Sequence, residues 1–422
     1  MNISFMVSWI RQSFLVLALL TATRAAHAQP AIELPADAAQ GPPVTALPRE
    51  TAVENALGRG GVLQGTAFGG YGELTLNAPG KYVLDSPPEA TIDLRRFVLF
   101  FGHNFSDRLR FYSELEVEHA VSSAGDRGEA EVEQAYLDGL LSRRLSLRGG
   151  LMVVPVGIIN VYHEPPTFNG VDRPAVDTYV IPTTWREPGI GIFGELREGV
   201  RYQLYLINGF NANGFTAETA IREGHQEAQF AHAGDWGGVA RLDWEPTLGT
   251  IIGGSAYYAT SGNTLTSTVG KVPVSLFEAD ARTRIGGFTA RAEVAFLFIG
   301  DAAALNVTLR DAALAGGGTG PYYPVASQSR GGYLEAGYDL LRLLAPGSEQ
   351  SVTLFGRFDY ADTQAAVPAG FVANPAFRRT IYTVGLTYRP VMQIGLKLDY
   401  RRHVFGAGPS GNEVAAAITW MF

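Results

Sequence analysis

The residues whose types and spacing best suit chemistry lie between positions 158 and 188. This stretch carries His163, Glu164, Asp172, Arg173, Asp177, Arg186 and Glu187. Five prolines among them (Pro165, Pro166, Pro174, Pro182 and Pro188) favour a fixed shape over a floppy tether. Charges of both signs around a narrow aqueous opening set up a transverse field that filters polar solutes. The same charges serve equally well to pair with one another and fix the segment. Enzyme chemistry is poorly provided for. His163-Glu164 is not followed by the second His of a zinc-protease helix, and Pro165-Pro166 forbids that helix. No G-x-S-x-G elbow or phosphate-cradling loop occurs, and His103, His119 and His403 have no Ser partner by spacing. No catalytic residue, cofactor or metal is expected. Glu114, Glu116 and Glu118, with Glu129, Glu131 and Glu133, could draw in a divalent cation. Carboxylates two apart on a strand need added ligands to hold one, so a solvated rim is the expectation.

Such residues must be positioned by strands. Period-two alternation marks sixteen of them, at 66–77, 91–103, 107–118, 130–141, 145–157, 189–197, 200–211, 236–245, 249–260, 273–283, 287–300, 331–342, 351–361, 379–388, 392–404 and 412–422. In the stretch 108–118, Leu109, Phe111, Leu115 and Val117 oppose Arg108, Arg110, Tyr112, Glu114, Glu116 and Glu118. In 394–400, Ile394, Leu396, Leu398 and Tyr400 oppose Lys397 and Asp399. Strand 2 is untidy: Arg96 interrupts the alternation, through either a bulge or a snorkelling side chain. Tight turns such as Asn104-Phe-Ser106, Ser142-Arg-Arg144, Glu198-Gly199 and Arg389-Pro-Val391 alternate with long connections. The long set is 78–90, 119–129, 158–188, 212–235, 261–272, 301–330, 362–378 and 405–411. An even number of strands of roughly 10 residues, with short turns at one end and long loops at the other, fits an all-β, 16-stranded antiparallel transmembrane β-barrel. In such a barrel the charged face borders the lumen and the apolar face meets lipid. A soluble sandwich gives the same one-dimensional pattern with the opposite facing.

The N-terminus supports export. Arg11, the apolar run Phe14–Leu20 and the small-x-small site Ala26-His-Ala28 read as a signal peptide over 1–28, leaving Gln29 as the first mature residue. Residues 29–65 read as a Pro/Ala-rich periplasmic linker, and 66–422 as the barrel. The run Val294–Ile299 is the longest apolar stretch in the barrel region and is far too short for a spanning helix. There is no Cys, which excludes disulfides and Cys lipidation. Cleavage after residue 28 removes two of the 33 basic residues and no acid, taking the net charge from −8 to −10. That balance argues against a nucleic-acid partner. Only three of the basic residues are Lys (Lys81, Lys271 and Lys397); the rest are Arg, whose planar fork suits carboxylate and phosphate.

The chain end, Val414–Phe422, places Val414, Ala416, Ile418, Trp420 and Phe422 on one face. Its terminal Phe resembles the signal by which bacterial outer-membrane barrels are recognised for assembly, with Trp420 and Phe422 as its key residues. A sharper resemblance lies in Arg148–Gly157, Thr167–Arg173 and Pro182–Gly194. These segments resemble the phosphate-selective porin O/P family of bacterial outer-membrane porins in a Gly-x-x-x-x-Pro-x-Gly strand end, a Phe-x-x-x-x-Arg loop and an Arg-x-x-Gly-x-x-x-x-Gly strand return. The resemblance implies a Gram-negative outer-membrane diffusion channel, commonly a homotrimer, whose third long loop (158–188 by count) folds into the lumen. Arg108 and Arg110 are the favoured constriction residues, because general porins set basic groups on early strands opposite the loop's acids. Arg95, Asp172, Arg173, Asp177 and Arg186 complete the constriction set. Arg201, Arg241, Arg291, Arg357, Lys397 and Arg401 are expected on the lumen wall. The partners implied are outer-membrane lipid, the assembly machinery and small hydrophilic solutes or ions, anions such as phosphate among them. With Lys scarce and both signs on the lumen faces, the family's phosphate selectivity is not carried over. The alternative is a loop-plugged barrel serving binding, adhesion or a structural role through 212–235 and 301–330.

Overall fold

The computed structural model describes residues 65–83, 89–123, 125, 127–262, 270–317 and 319–422. The signal-peptide reading of 1–28 lies outside them, as does the linker reading of 29–65 except for Gly65. Sixteen antiparallel strands form one closed barrel, each paired with its sequence neighbours and β1 with β16. They are β1 (Thr66–Pro79), β2 (Thr91–Ser106), β3 (Leu109–Glu118), β4 (Ala130–Ser142), β5 (Leu145–Val153), β6 (Arg186–Arg197), β7 (Val200–Asn208) and β8 (Trp236–Thr247). The second half is β9 (Thr250–Ser261), β10 (Val272–Ile285), β11 (Phe288–Ile299), β12 (Gln328–Asp339), β13 (Ser351–Ala366), β14 (Arg378–Val391), β15 (Ile394–Phe405) and β16 (Gly411–Met421). Short turns and long connections alternate around the barrel, except that 340–350 at the short-turn end is longer than 406–410 at the other. The longest link at the short-turn end, 340–350, carries a helical turn, α4 (Leu341–Leu344). Among the described residues no helix is long and apolar enough to cross a membrane. The chain crosses with strands.

The facing of the side chains separates a membrane barrel from a sandwich. Leu115, Leu137, Leu147, Leu204, Leu242, Leu334, Phe358 and Leu398 are all exposed on the outer wall. They meet as cross-strand neighbours, Leu334 opposite Phe358 and Leu386 opposite Leu398. Glu114, Glu133, Asp138, Arg241, Glu278, Arg357, Asp359, Lys397 and Arg401 are buried on the inner wall. A core of apolar side chains inside two sheets would reverse this facing. At the short-turn end Trp244, Phe288, Tyr338 and Phe422 stand exposed, an aromatic girdle at the height of a lipid interface. Closure is made by the chain end: Phe422 donates its amide to the Gly70 carbonyl at 2.8 Å and accepts the Gly70 amide at 3.0 Å. Trp420 sits opposite Gly72, where a Cβ would fall 2.7 Å from the indole. The glycine is needed for the ring to lie flat on the seam.

Several boundaries differ from the expectation. Strand β3 starts at Leu109, so Arg108 lies in the two-residue turn 107–108. Strand β5 stops at Val153, two residues before Pro155, which has no amide to continue a ladder. Strand β14 runs through Arg389 to Val391, and the turn falls at 392–393. The irregularity of β2 is a bulge. Glu73 pairs with Arg96 and Leu74 with Leu94, leaving Arg95 as the extra residue. Arg96 turns inward to Glu73 at 3.0 Å rather than reaching for the interface. The long connection after β11 contains a helix, α3 (Ala302–Ala315), which alternation cannot reveal.

Outer-wall Leu398 tests the facing. Leu398→Arg should cost about 2–4 kcal/mol of unfolding free energy for protein folded into lipid vesicles, the depth-dependent penalty of a midplane cation. Urea titration followed by tryptophan fluorescence measures it.

Candidate functional site: a loop fastened across the lumen

The connection 154–185 enters the barrel and crosses it. It contains only two single-turn helices, α1 (Ile158–Val161) and α2 (Val176–Tyr179), and a 3-10 turn at Pro165–Thr167. Most of its backbone therefore has no partner within the loop. Buried backbone groups must be matched, and here the inner wall supplies the matches. Wall cations donate to loop carbonyls. Lys397 Nζ reaches Pro165 and Gly170 at 2.7 and 2.8 Å, Arg389 reaches Pro166 and Phe168 at 3.2 and 3.3 Å, and Arg291 reaches Thr167. Wall anions accept loop amides. Asp399 takes that of Val171 at 2.7 Å, Asp359 that of Ala175 at 3.1 Å and Glu293 that of Ile158 at 3.0 Å. Gly157 is needed at the loop's start: its φ is +80°, and a Cβ there would come within 2.6 Å of Glu293 Oε1.

Asp172 is the loop's charged clasp. It accepts from Arg95 of β2 at 2.6 Å and from Arg401 of β15, and its carbonyl accepts Arg357 at 3.1 Å. Arg95, Arg357 and Arg401, three residues from the expected set, thus converge on a fourth. Arg173 is held by Thr184 at 3.1 Å, and burial draws its pKa down to about 9. Asp177, on α2, is fully buried, and neither carboxylate oxygen accepts a hydrogen bond. Burial pushes its pKa up to about 8, against the pull of Arg173 and Arg357.

The remaining expected residues sit elsewhere. Arg186 opens β6 and binds Glu131 and, at 3.3 Å, Glu227. Arg108 is exposed in its turn, and Arg110 lies at the same short-turn end of β3, away from the loop. Arg201 is likewise at the short-turn end, on β7 across from Asp243. Arg241 is neutralised deep in the wall by Asp243, Asp280 and Glu278 at 2.8, 2.7 and 3.3 Å. The carboxylates expected as a solvated rim are in part buried. Glu114 and Glu116 are each 3 % exposed and Glu133 is 0 % exposed, because the loop lies against them.

The connection 209–235 also turns inward. Arg222 donates to the Thr183 carbonyl at 2.7 Å, Thr363 donates to that of Ala217 at 2.7 Å, and Phe210 and Tyr257 pack on Trp185. Part of 212–235 is therefore held inside the barrel, whereas the other segment of the adhesion reading, 301–330, carries α3 with most of its residues exposed.

Two cavities flank the third loop. The larger, about 280 Å³, lies towards the long-loop end. Its lining includes Arg95, Arg96, Arg173, Arg222, Arg357, Arg379 and Arg401 against three acids, Glu73, Asp172 and Glu413. The smaller, about 30 Å³, is lined by Arg282, Arg284, Arg291 and Arg389 with no acid. Sequence reasoning missed Arg282, Arg284 and Arg389. The last was hidden in a supposed turn. The first two share the inward parity of Asp280, a signal that was present but unused.

A closed sixteen-stranded barrel with charges inside, apolar residues outside and its third loop across the lumen defines the porin class of outer-membrane protein folds. Solved structures bear this out. Over 85% of this chain it is similar to the outer membrane channel DcaP of Acinetobacter baumannii (TM-score 0.52, 13% identity, 97% of that chain). It is similarly related to OmpF of Salmonella typhi, solved with daunomycin (0.55, 11%, 97%), and to an anion-selective porin from Comamonas acidovorans (0.52, 11%, 99%). The chain belongs to the same family as an uncharacterized protein of Aquifex aeolicus (strain VF5). It is 35% identical to that protein over 365 residues, 86% of this chain and 81% of that one. No family model matches.

Asp177 yields a pH prediction. Its folded pKa lies above the ordinary carboxylate value, so the folded state holds that proton more tightly than the unfolded chain does. The resulting stability is complete below about pH 4 and is lost as the pH rises through about 8. Asp177→Asn should therefore flatten the fall in denaturant midpoint between pH 6 and 9, measured on the same folded preparation.

Proposed function

We propose that this protein is an outer-membrane porin that passes small hydrophilic solutes passively and favours anions. The observation that carries the reading is the surplus of arginine on both sides of the third loop. Seven Arg face three acids in the upper cavity, and four Arg face none in the lower. Of the lower four, Arg291 and Arg389 donate to loop carbonyls, and none makes an ion pair with a described carboxylate. A local excess of fixed positive charge in a low-dielectric channel raises the local concentration of anions. Guanidinium forks also suit oxyanions such as phosphate or carboxylates. The apolar outer belt and aromatic girdle support a place in the outer membrane of a Gram-negative cell, and Trp420 and Phe422 fit recognition by its assembly machinery. The homotrimer remains part of the proposal on the family resemblance.

A second reading has its own support. The loop is bound to β10, β11, β12, β13, β14 and β15, and the lower cavity holds about one water. That favours a plugged barrel.

Planar bilayers separate the two. Stepwise conductance with a reversal potential of anion sign in a KCl gradient is expected, and phosphate should reduce the chloride current. Arg282→Glu with Arg284→Glu should move the reversal potential towards cations. A folded protein without conductance steps selects the plugged barrel, and an unchanged reversal potential in the double variant removes the lower arginines from the path. Light-scattering mass of the detergent complex should correspond to three chains.

A further inference from the structure

At one point, His163, the third loop lies against the acidic wall of β1, β3 and β4. His163 lies there, 3 % exposed, and three oxygens converge on its Nε2. Tyr71 Oη is at 2.9 Å, Glu133 Oε1 at 3.1 Å and Glu114 Oε2 at 3.9 Å. One ring N–H can serve only one of them. Glu133 Oε1, on a carboxylate with no exposure, accepts no hydrogen bond at all. Glu133 Oε2 accepts from Tyr71 at 3.2 Å.

The outward ring nitrogen is already committed. His163 Nδ1 lies 3.1 Å from the Asn160 carbonyl, an acceptor, so Nδ1 carries a hydrogen and Nε2 is left to face the carboxylates. Asn160 is itself fixed to the carbonyls of Val154 and Trp185 and to the Trp185 amide. Glu114 is oriented by Tyr112 and by Gln134, whose amide donates to Oε2 at 2.8 Å. A histidine whose other nitrogen donates to a backbone carbonyl, with carboxylates that are hydrogen-bonded in turn, is the outer shell found around metal ligands. The ligand atoms of Glu114, Glu133 and His163 all lie within 4.8 Å of one another. The His163 Nε2–Glu133 Oε1 distance, 3.1 Å, is close to the edge, roughly 3.3 Å, of a tetrahedron with metal–ligand bonds of 2.0–2.1 Å, and Glu114 Oε2 at 3.9 Å would move in to complete it.

We propose that Glu114, Glu133 and His163 form a buried site for one divalent transition-metal ion, zinc by its donor set, with the Tyr71 hydroxyl beside the fourth position. A dication neutralises the two carboxylates and engages all the converging oxygens, which a single proton does not. One imidazole with two carboxylates suits zinc better than calcium, which takes six to eight oxygens. The site is closed by the loop itself, so the ion is captured as the loop folds against β1, β3 and β4. It would fasten the part of the loop that the basic residues of β14 and β15 do not reach.

The test uses the mature chain refolded into detergent micelles with one equivalent of Zn²⁺ or with EDTA, then desalted. Elemental analysis should find about one zinc per chain, with zinc raising the denaturant midpoint relative to the EDTA sample. Glu133→Gln and Glu114→Gln, checked for folding by heat-modifiable gel mobility, should each weaken retention at least about tenfold and lose the zinc-dependent shift. Co²⁺ added during refolding of the unaltered chain should give the visible absorption of a tetrahedral site, a readout that needs no variant to fold. Wild-type protein that retains no zinc and shows only six-coordinate Co²⁺ would overturn the proposal and leave an imidazolium paired with Glu133. Folded Gln variants that retain zinc as the wild type does would overturn it too.

Discussion

An irregular segment inside a barrel must find a partner for every buried backbone amide and carbonyl, and that requirement organises this protein. Leaving such a group unmatched costs about 1–3 kcal/mol. The third loop crosses the lumen with little regular structure, so it cannot satisfy itself. Inner-wall charges do it instead, Lys397, Arg389 and Arg291 for carbonyls, and Asp399, Asp359 and Glu293 for amides. The wall charges gain as well. A buried carboxylate that accepts a backbone N–H is less costly than a bare one, so loop and wall are mutually dependent.

This dependence also shapes the electrostatics of the lumen. Many inner charges are used up in local pairs, such as Arg241 with Asp243 and Asp280 or Arg357 with Asp359 at 2.8 Å. Such pairs contribute little net field. What remains is arginine in excess of acids: Arg282, Arg284, Arg291 and Arg389 line the lower cavity with no acid, and in the upper one seven arginines, five of them ion-paired, share a lining with three acids. The whole-chain charge of −8 therefore says little about the path a solute would meet. Local surplus, rather than the sum, sets the potential in a narrow channel.

The acidic side follows the same logic with a different outcome. Along β1, β3 and β4 the wall offers Glu73, Glu114, Glu116 and Glu133, all buried. Arg96 answers Glu73 at 3.0 Å because a bulge at Arg95 resets the register, and His163 of the loop answers Glu133. A one-residue bulge thus turns both Arg95 and Arg96 into the lumen, where each meets an acid.

The sequence by itself determined the sixteen strands, their alternation of long and short links and the inward or outward parity of nearly every side chain. These follow from a period of two that is local and repeated. It also singled out the loop and its charges, Asp172 and Arg173 among them, because proline and mixed charge are visible one residue at a time. Which charges meet was decided only by the tertiary structure. Arg95, Arg357, Arg401 and Asp172 come from four distant segments, and their convergence depends on barrel closure and on the loop's path across it. The turn at Asp107-Arg108, the inward face of Arg389 and the helix α3 turn on a shift of one or two residues or on a change of period, which alternation alone does not resolve. The glutamates expected on a wet rim became buried for the same reason. Burial is a property of what lies opposite a residue, and nothing in its own neighbourhood along the chain records that.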